Sequence, residues 1–156
     1  MTPSEVLREL EDRAAIHELE MRYFFAVDDR DWTAVRACFT ADARLDYGVF
    51  TGGVDAVVDA IARGLSSFTR TMHHGGNVLI ELAGERARCE TYAVCHHRLG
   101  DGDGARDRVS ALRYRDELRR DAGGWRIAAR AVTFVWERLA PVAPAPAPRP
   151  PGAGRD

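Results

Sequence analysis

Residues 72–99, MHHGGNVLIELAGERARCETYAVCHHRL, contain two runs in which apolar and polar side chains alternate, separated by the turn signal AGE at residues 83–85. Alternation with a period of two is typical of β-strands. The same pattern continues in two further runs, which follow the turn signals GDGDG at residues 100–104 and DAGG at residues 121–124. The sequence therefore predicts an antiparallel meander of four long strands at Met72–Leu82, Ala87–Leu99, Arg106–Leu118 and Trp125–Leu139.

The chain before residue 66 has helical rather than strand spacing. Apolar residues recur every three to four positions up to about Asp28, which predicts one long helix with Thr2 or Ser4 as its N-cap. Asp31 is an expected N-cap for a second, short helix, because an aspartate side chain accepts hydrogen bonds from the first free backbone amides. Two more elements are predicted, a short strand at Ala43–Tyr47 and a helix at Val54–Leu65.

The order of these elements predicts an α+β domain. Three N-terminal helices would pack on one curved, mixed but mainly antiparallel sheet and enclose a pocket between helices and sheet. This domain is expected to span residues 1–140. Residues 141–156, PVAPAPAPRPPGAGRD, have too few apolar side chains to bury and predict a disordered, polyproline-like tail.

Composition argues against several classes of protein. The net charge of −2 does not favour nucleic-acid binding, which needs a basic face to replace phosphate counterions. The acidic N-terminus and the lack of a long apolar run predict neither a signal peptide nor a membrane span. Cys89 and Cys95 would lie on the same side of one strand, roughly 20 Å apart and too far to bridge. With Cys38 they are expected to be reduced, which favours a cytoplasmic protein.

Three strings carry a resemblance to a known family: AAIHELEMRYFFAVDDRDWTAVRACFTADARLDYG at residues 14–48, TMHHGGNVLIEL at residues 71–82 and GGWRIAARAVTFVW at residues 123–136. From about Arg13 to Leu139 the chain resembles the NTF2-like superfamily, in particular its SnoaL-like and scytalone dehydratase-like branch. It is also similar to hexachlorocyclohexane dehydrochlorinase and bile-acid dehydratase. The resemblance implies a cone-shaped fold and no cofactor.

Asp28 and His73 are the expected acid–base pair. Periodicity alone favours a capping role for Asp28 at the end of the helix, and His73 would serve equally as a hydrogen-bonded core histidine. In the dehydratase and dehydrochlorinase relatives, however, an aspartate at the matching place in the A-V-D string forms a dyad with a histidine. A carboxylate on one imidazole nitrogen fixes the tautomer, so that the other nitrogen can accept a proton. His74 would point to the opposite face of the strand.

Four further candidates lie on the first helix and on two of the predicted strands. Tyr23 lies five residues before Asp28, the interval shown by bile-acid dehydratase-like proteins, and a phenol there could donate a proton, although a core role is also open. His97 shares a face with small residues such as Cys95, whereas His96 shares the charged face. His97 is therefore the expected pocket residue, and Cys95 an expected wall residue. Tyr47 is a weaker candidate for substrate binding.

On the last strand, Arg130 alternates with Val132, Phe134 and Trp136. Arg130 could bind an anionic substrate group or pair with an acid, and the latter is favoured. Phe134 and Trp136 are expected in the core and pocket wall. The histidine pairs lack the spacing of a metal site, so no metal is expected.

The resemblance implies a cofactor-independent lyase or isomerase, a dehydratase or cyclase, and the apolar walls of the predicted pocket favour a small, largely apolar substrate containing a ring. His73 would be the base, Asp28 its orienting partner, Tyr23 a proton donor, and His97 an assisting group. The alternatives are a non-catalytic ligand-binding domain of the same fold and an association subunit. A homodimer or homotrimer is expected from the relatives and from the charged outer strand faces.

Overall fold

The computed structural model describes residues 1–142. Three helices pack on one face of a six-stranded, curved and unclosed sheet, as an α+β domain of the predicted kind. The elements are α1 (Pro3–Asp28), α2 (Trp32–Ala37), β1 (Phe39–Asp46), β2 (Thr51–Gly52), α3 (Val54–Leu65), β3 (Arg70–Ala83), β4 (Arg86–Leu99), β5 (Arg106–Asp121) and β6 (Gly124–Pro141).

The predicted meander is confirmed in its order and extended at its ends. The strands lie in the order β2-β1-β6-β5-β4-β3. All neighbours are antiparallel except β1 and β6, which are parallel, so the sheet is mixed. The strand predicted at Ala43–Tyr47 begins earlier, at Phe39, and the two-residue β2 was not predicted.

Both predicted helix caps are present. Thr2 forms a capping box with Glu5, and the Ala34 amide donates to the Asp31 side chain over 2.9 Å. These contacts satisfy backbone amides that have no partner within the helix. They fix where α1 and α2 begin, and the short turn between the two helices leaves Asp28 as the last residue of α1.

The close approach of α1 to β3 depends on Gly75. A Cβ atom at this position would lie 2.6 Å from Phe24 Cε2 and 2.8 Å from Met21 Cε, which is closer than carbon atoms pack. The register of β3 against β4 shifts directly after Gly75, as it does at a β-bulge. The missing side chain therefore allows the C-terminal half of α1 to lie directly on β3, beside His73.

The core lies between the helices and the inner face of the sheet, where side chains from all three helices and β1, β3, β4, β5 and β6 meet. Cys38, Cys89 and Cys95 are free and buried. Of the helices within residues 1–142, none combines the length and the apolar character that a bilayer crossing requires. The last strand extends to Pro141, one residue past the predicted boundary, and the predicted tail otherwise lies outside the described residues.

Candidate active site

Asp28 and His73 are in direct contact through two hydrogen bonds. Oδ1 of Asp28 lies 2.7 Å from Nδ1 of the His73 ring, and Oδ2 accepts from the His73 backbone amide over 2.8 Å. Both carboxylate oxygens are therefore engaged by one residue, which fixes the position of the ring relative to the end of α1. With its Nδ1 proton directed to the carboxylate, the ring presents an unprotonated Nε2 that can accept a proton.

The dyad is largely shielded from water. Only 7 % of the His73 side chain and 20 % of the Asp28 side chain are exposed. The Phe24 ring stacks on the His73 ring with 6.1 Å between centroids and 11° between planes. Burial raises the pKa of the Asp28 carboxyl, but the hydrogen bonds from His73 outweigh this effect and hold that pKa below its usual value. Asp28 is thus an anion that can stabilise a positive charge on His73.

His97 lies beside the dyad on β4. Its ring centroid is 5.3 Å from that of His73 and 4.9 Å from that of Phe68. Burial, followed by the neighbouring His73 and Arg108, lowers the pKa of His97 to about 4. Its Nδ1 atom is buried and has no hydrogen-bond partner among residues 1–142. His97 is therefore a neutral ring with a free polar atom beside His73.

The low pKa of His97 predicts a pH-dependent stability. As the pH falls below about 6.5, His97 takes up a proton in the unfolded chain, whereas in the folded protein it stays neutral down to its pKa of about 4. The stability that is present above about pH 6.5 is therefore lost as the pH falls towards about 4. Between pH 7 and pH 5, the native protein should therefore lose about 2 kcal/mol more of its free energy of unfolding than the variant His97→Leu, which lacks this titrating group. Urea unfolding at both pH values measures this difference, with His96→Leu as the matched control on the same strand. An unchanged pH dependence in His97→Leu would contradict the assignment.

Tyr23 and Tyr47 form a buried pair of phenols. Their hydroxyl oxygens are 2.7 Å apart, and both side chains line the same cavity as His73 and His97. Burial raises the pKa of Tyr23 well above its usual value, and it raises the pKa of Tyr47 as well. Both phenols are therefore protonated at neutral pH. Either can donate to a substrate oxygen while accepting from the other.

Arg130 lies below this pair and is completely buried. Its Nε donates to Asp116 over 2.8 Å, and its Nη2 donates to Asp116 and to Glu20, each over 2.7 Å. Its Cζ atom is 4.2 Å from the centroid of the Tyr23 ring. Arg130 thus pairs with acids, the role that the sequence favoured. It is not among the residues that line the cavity.

The cavity has a volume of about 210 Å³. Apolar and aromatic side chains from α1, α3, the inner sheet face and the loops before β2 and after α3 form most of its wall: Val27, Phe50, Ala60, Ile61, Leu65, Phe68, Leu112, Tyr114 and Phe134. A larger depression of about 410 Å³ occurs on the opposite face of the sheet, around Leu79 and Ala131, but His73 and His97 do not line it. The smaller cavity is therefore the candidate site.

The remaining predicted wall residues divide between the two sheet faces. Phe134 lines the cavity, whereas Cys95 is completely buried and does not. Trp136 does not share the face of Phe134, contrary to the expected alternation. The β5–β6 register pairs Leu112 with Phe134 and Ala111 with Trp136, so one extra residue turns Trp136 to the outer face.

Three polar residues of the cavity were not predicted from the sequence: Arg108, Ser110 and Glu137. Arg108 and Ser110 are separated from Tyr114 by an even number of positions along β5, so simple alternation already places all three on the same face of the sheet. Glu137 reaches the cavity because of the same extra residue in β6 that turns Trp136 away. Within residues 1–142, no group of three or more histidine, cysteine and acidic side chains is arranged to hold a metal ion.

Comparison with known proteins identifies relatives over most of the chain. A family model described as a SnoaL-like domain matches residues 8–131. An uncharacterised protein of Mycobacterium tuberculosis strain H37Rv is 29 % identical over 136 residues, which cover 84 % of this chain and 90 % of that protein.

Solved structures share the architecture. An NTF2-like protein with a cystatin-like fold from Novosphingobium aromaticivorans is 28 % identical, with a TM-score of 0.70 over 85 % of this chain and 87 % of that one. A candidate scytalone dehydratase from the same species is 21 % identical, with a TM-score of 0.76 over 94 % and 97 % of the two chains. A type 2 hexachlorocyclohexane dehydrochlorinase is 24 % identical, with a TM-score of 0.75 over 94 % and 98 %. The last two likenesses show the fold, which is that of the NTF2-like proteins.

Proposed function

From the premise that this chain belongs to the SnoaL-like domain family, we propose that it is a cofactor-independent lyase or isomerase that uses His73 as its base. The observation that carries this proposal is the two-point contact between Asp28 and His73, at 2.7 Å and 2.8 Å, beside a largely apolar cavity. A histidine held in one tautomer by a buried carboxylate is the arrangement that general-base catalysis requires. The fold shared with a candidate scytalone dehydratase and a dehydrochlorinase supports the choice of reaction class.

In the proposed dehydration, Nε2 of His73 removes a proton from a substrate carbon. The electron pair of that C–H bond forms a C=C bond as the adjacent C–O bond breaks, and the Tyr23 phenol gives its proton to the leaving hydroxyl, which departs as water. Asp28 stabilises the imidazolium that forms, and solvent then returns the proton of His73 to Tyr23. Tyr47 stabilises the transient phenolate through its hydrogen bond of 2.7 Å.

Isomerisation or cyclisation would use the same first step. In these reactions the phenols would donate to a carbonyl oxygen, whose negative charge grows as the α-proton leaves. The neutral ring of His97 would orient the substrate through its free nitrogen. Dehydration is our first choice, because the relatives that carry an aspartate–histidine dyad are lyases.

The cavity limits the substrate to a small, largely apolar molecule. Its volume of about 210 Å³ lies below the range of about 300–1,000 Å³ that is common for sites of drug-sized ligands. One or two rings would fill it. Within this proposal the protein is cytoplasmic, as its free, buried cysteines favour. It is a homodimer or homotrimer whose contact includes exposed outer-face residues such as Leu79 and Tyr92.

Proton abstraction can be tested before the physiological substrate is known. We expect the native protein to exchange α-protons of small cyclic ketones for deuterium in D2O, or to eliminate water from cyclic β-hydroxyketones, as followed by ¹H NMR. His73→Gln should abolish both reactions. Tyr23→Phe should slow them by about 10- to 100-fold, since a buried donor to the developing oxyanion is lost while the Tyr47 donor remains.

Tyr92→Phe is the matched control, because it removes a phenol from the partly exposed outer face. Its rates should equal those of the native protein. Binding of these ketones without exchange or elimination in any variant would contradict the enzymatic proposal and favour a ligand-binding domain.

A further inference from the structure

A second polar group lies in the wall of the cavity, apart from the dyad and the phenols. It consists of Arg108 and Ser110 on β5 and Glu137 on β6. Ser110 is paired with Glu137 in the β5–β6 register, and its hydroxyl donates to Oε2 of Glu137 over 2.9 Å. The other oxygen, Oε1, lies 3.6 Å from Nε of Arg108. Successive side-chain contacts therefore connect the buried hydroxyl of Ser110, through Glu137, to the guanidinium of Arg108.

Arg108 and Glu137 stand at the mouth of the cavity. Ser110 is only 2 % exposed, whereas the side chains of Arg108 and Glu137 are 44 % and 43 % exposed. The Arg108 guanidinium lies over the Phe68 ring, with Cζ 5.4 Å from the ring centroid. Phe68 also contacts His97, which contacts His73, so this mouth leads to the dyad.

The hydrogen-bonding groups that remain free to contact a ligand at this mouth are donors rather than acceptors. Both oxygens of Glu137 already face protein groups, Ser110 and Arg108. The distance of 3.6 Å to Nε is too long for a hydrogen bond, so Glu137 attracts Arg108 without occupying its donors. Among residues 1–142, neither Nη atom of Arg108 donates a hydrogen bond. A planar fork of free N–H groups matches a carboxylate, which can accept two parallel hydrogen bonds.

We propose that Arg108 binds a carboxylate of the substrate at the mouth of the cavity, while the ring of the substrate extends towards His73. Phe68 and Glu137 hold the guanidinium in place, and Ser110 holds Glu137. This proposal rests on the proposed function for the reaction itself, and it narrows the substrate to a small cyclic acid. The carboxylate would determine which end of the molecule enters first, and so which carbon faces Nε2 of His73.

The test compares two probes of nearly the same shape, the anion 2-naphthoate and the neutral 2-naphthamide. Dissociation constants would be measured by NMR titration, with the ring signals of His73 reporting that the probe enters this cavity. The native protein should bind naphthoate about tenfold more tightly than naphthamide, the effect of charge-assisted hydrogen bonds at a half-exposed site. Arg108→Gln should remove this preference and leave the affinity for naphthamide unchanged.

Arg115→Gln is the matched control. Arg115 is 48 % exposed and lies 3.4 Å from Glu90, so it resembles Arg108 in exposure and pairing, but it lies on the outer face of β5. This variant should keep the preference for naphthoate. Equal binding of the two probes by the native protein, or a preference that survives in Arg108→Gln, would overturn the proposal.

The result is independent of turnover, because a dissociation constant does not require the dyad to react. If naphthoate is preferred through Arg108 but no ketone is deprotonated, the carboxylate site stands and the proposed reaction fails. If ketones are deprotonated but the two probes bind equally, the reaction stands and the carboxylate site fails.

Discussion

Asp28→Asn is expected to lower the rate of proton abstraction by about 10³- to 10⁴-fold with the fold intact. The native carboxylate accepts from Nδ1 of His73 over 2.7 Å and thereby keeps the proton on that nitrogen. An asparagine side chain has nearly the same shape but can direct its amide N–H towards Nδ1. The ring would then hold its proton on Nε2, the atom that must accept one from the substrate.

Two measurements separate this effect from simple loss of structure. The deuterium exchange rate reports the chemistry, and ¹⁵N chemical shifts of His73 report the tautomer directly. Asp29→Asn is the control, because it removes an exposed carboxylate from the adjacent position and should leave both quantities unchanged. A slow variant whose His73 keeps its native tautomer would show that Asp28 acts in another way, for example by its charge alone.

The helices and strands could be predicted from local patterns, because helical spacing, strand alternation and capping residues depend on residues that are close in sequence. The helix Val54–Leu65 has the predicted bounds, and the strand from Arg86 to Leu99 differs from its prediction by one residue. Asp31 caps α2 as its position before a short apolar helix indicated. The parallel pairing of β1 with β6 could not be derived in this way, since it joins residues that are far apart in sequence.

The candidate site, too, could be predicted only in part from local patterns. Periodicity favoured a cap for Asp28, and only the resemblance connected it to His73, 45 residues away. Trp136 was placed on the inner face because alternation assumes an unbroken ladder, and a single extra residue in β6 reverses it. Arg108 lay on the correct parity in β5, but nothing in the sequence showed that Phe68 and Glu137 would lie beside it.

Arg130 illustrates a choice that the sequence left open, between binding a substrate anion and pairing with acids. In the structure it lies between two acids from other elements, Glu20 of α1 and Asp116 of β5, and all three side chains are buried. Burial raises the pKa of Glu20 well above its usual value, the neighbouring Asp116 raises it further, and Arg130 opposes both effects. One cation therefore holds two buried carboxyl groups beneath the Tyr23 ring.

Arg130→Met is expected to lower the free energy of unfolding by about 3–5 kcal/mol at pH 7, because it leaves those carboxyl groups buried without a cation. The loss should diminish as the pH falls to 5. A carboxyl such as Glu20, whose pKa is raised in the folded state, is stabilising when protonated and destabilising when ionised. Urea unfolding at both pH values measures this, and Arg115→Met, at a half-exposed position, should cost no more than about 1 kcal/mol.

The same variant decides between the two roles of Arg130. If its role is to balance the buried acids, adding Glu20→Gln to Arg130→Met should restore part of the lost stability, because one of the two unpaired carboxyl groups is then replaced by a neutral amide. If Arg130 instead binds a substrate anion, Arg130→Met should unfold at nearly the native urea concentration and lose its affinity for naphthoate. The contacts of 2.7 Å and 2.8 Å to Asp116 favour the first outcome, since they already occupy the fork that an anion would need.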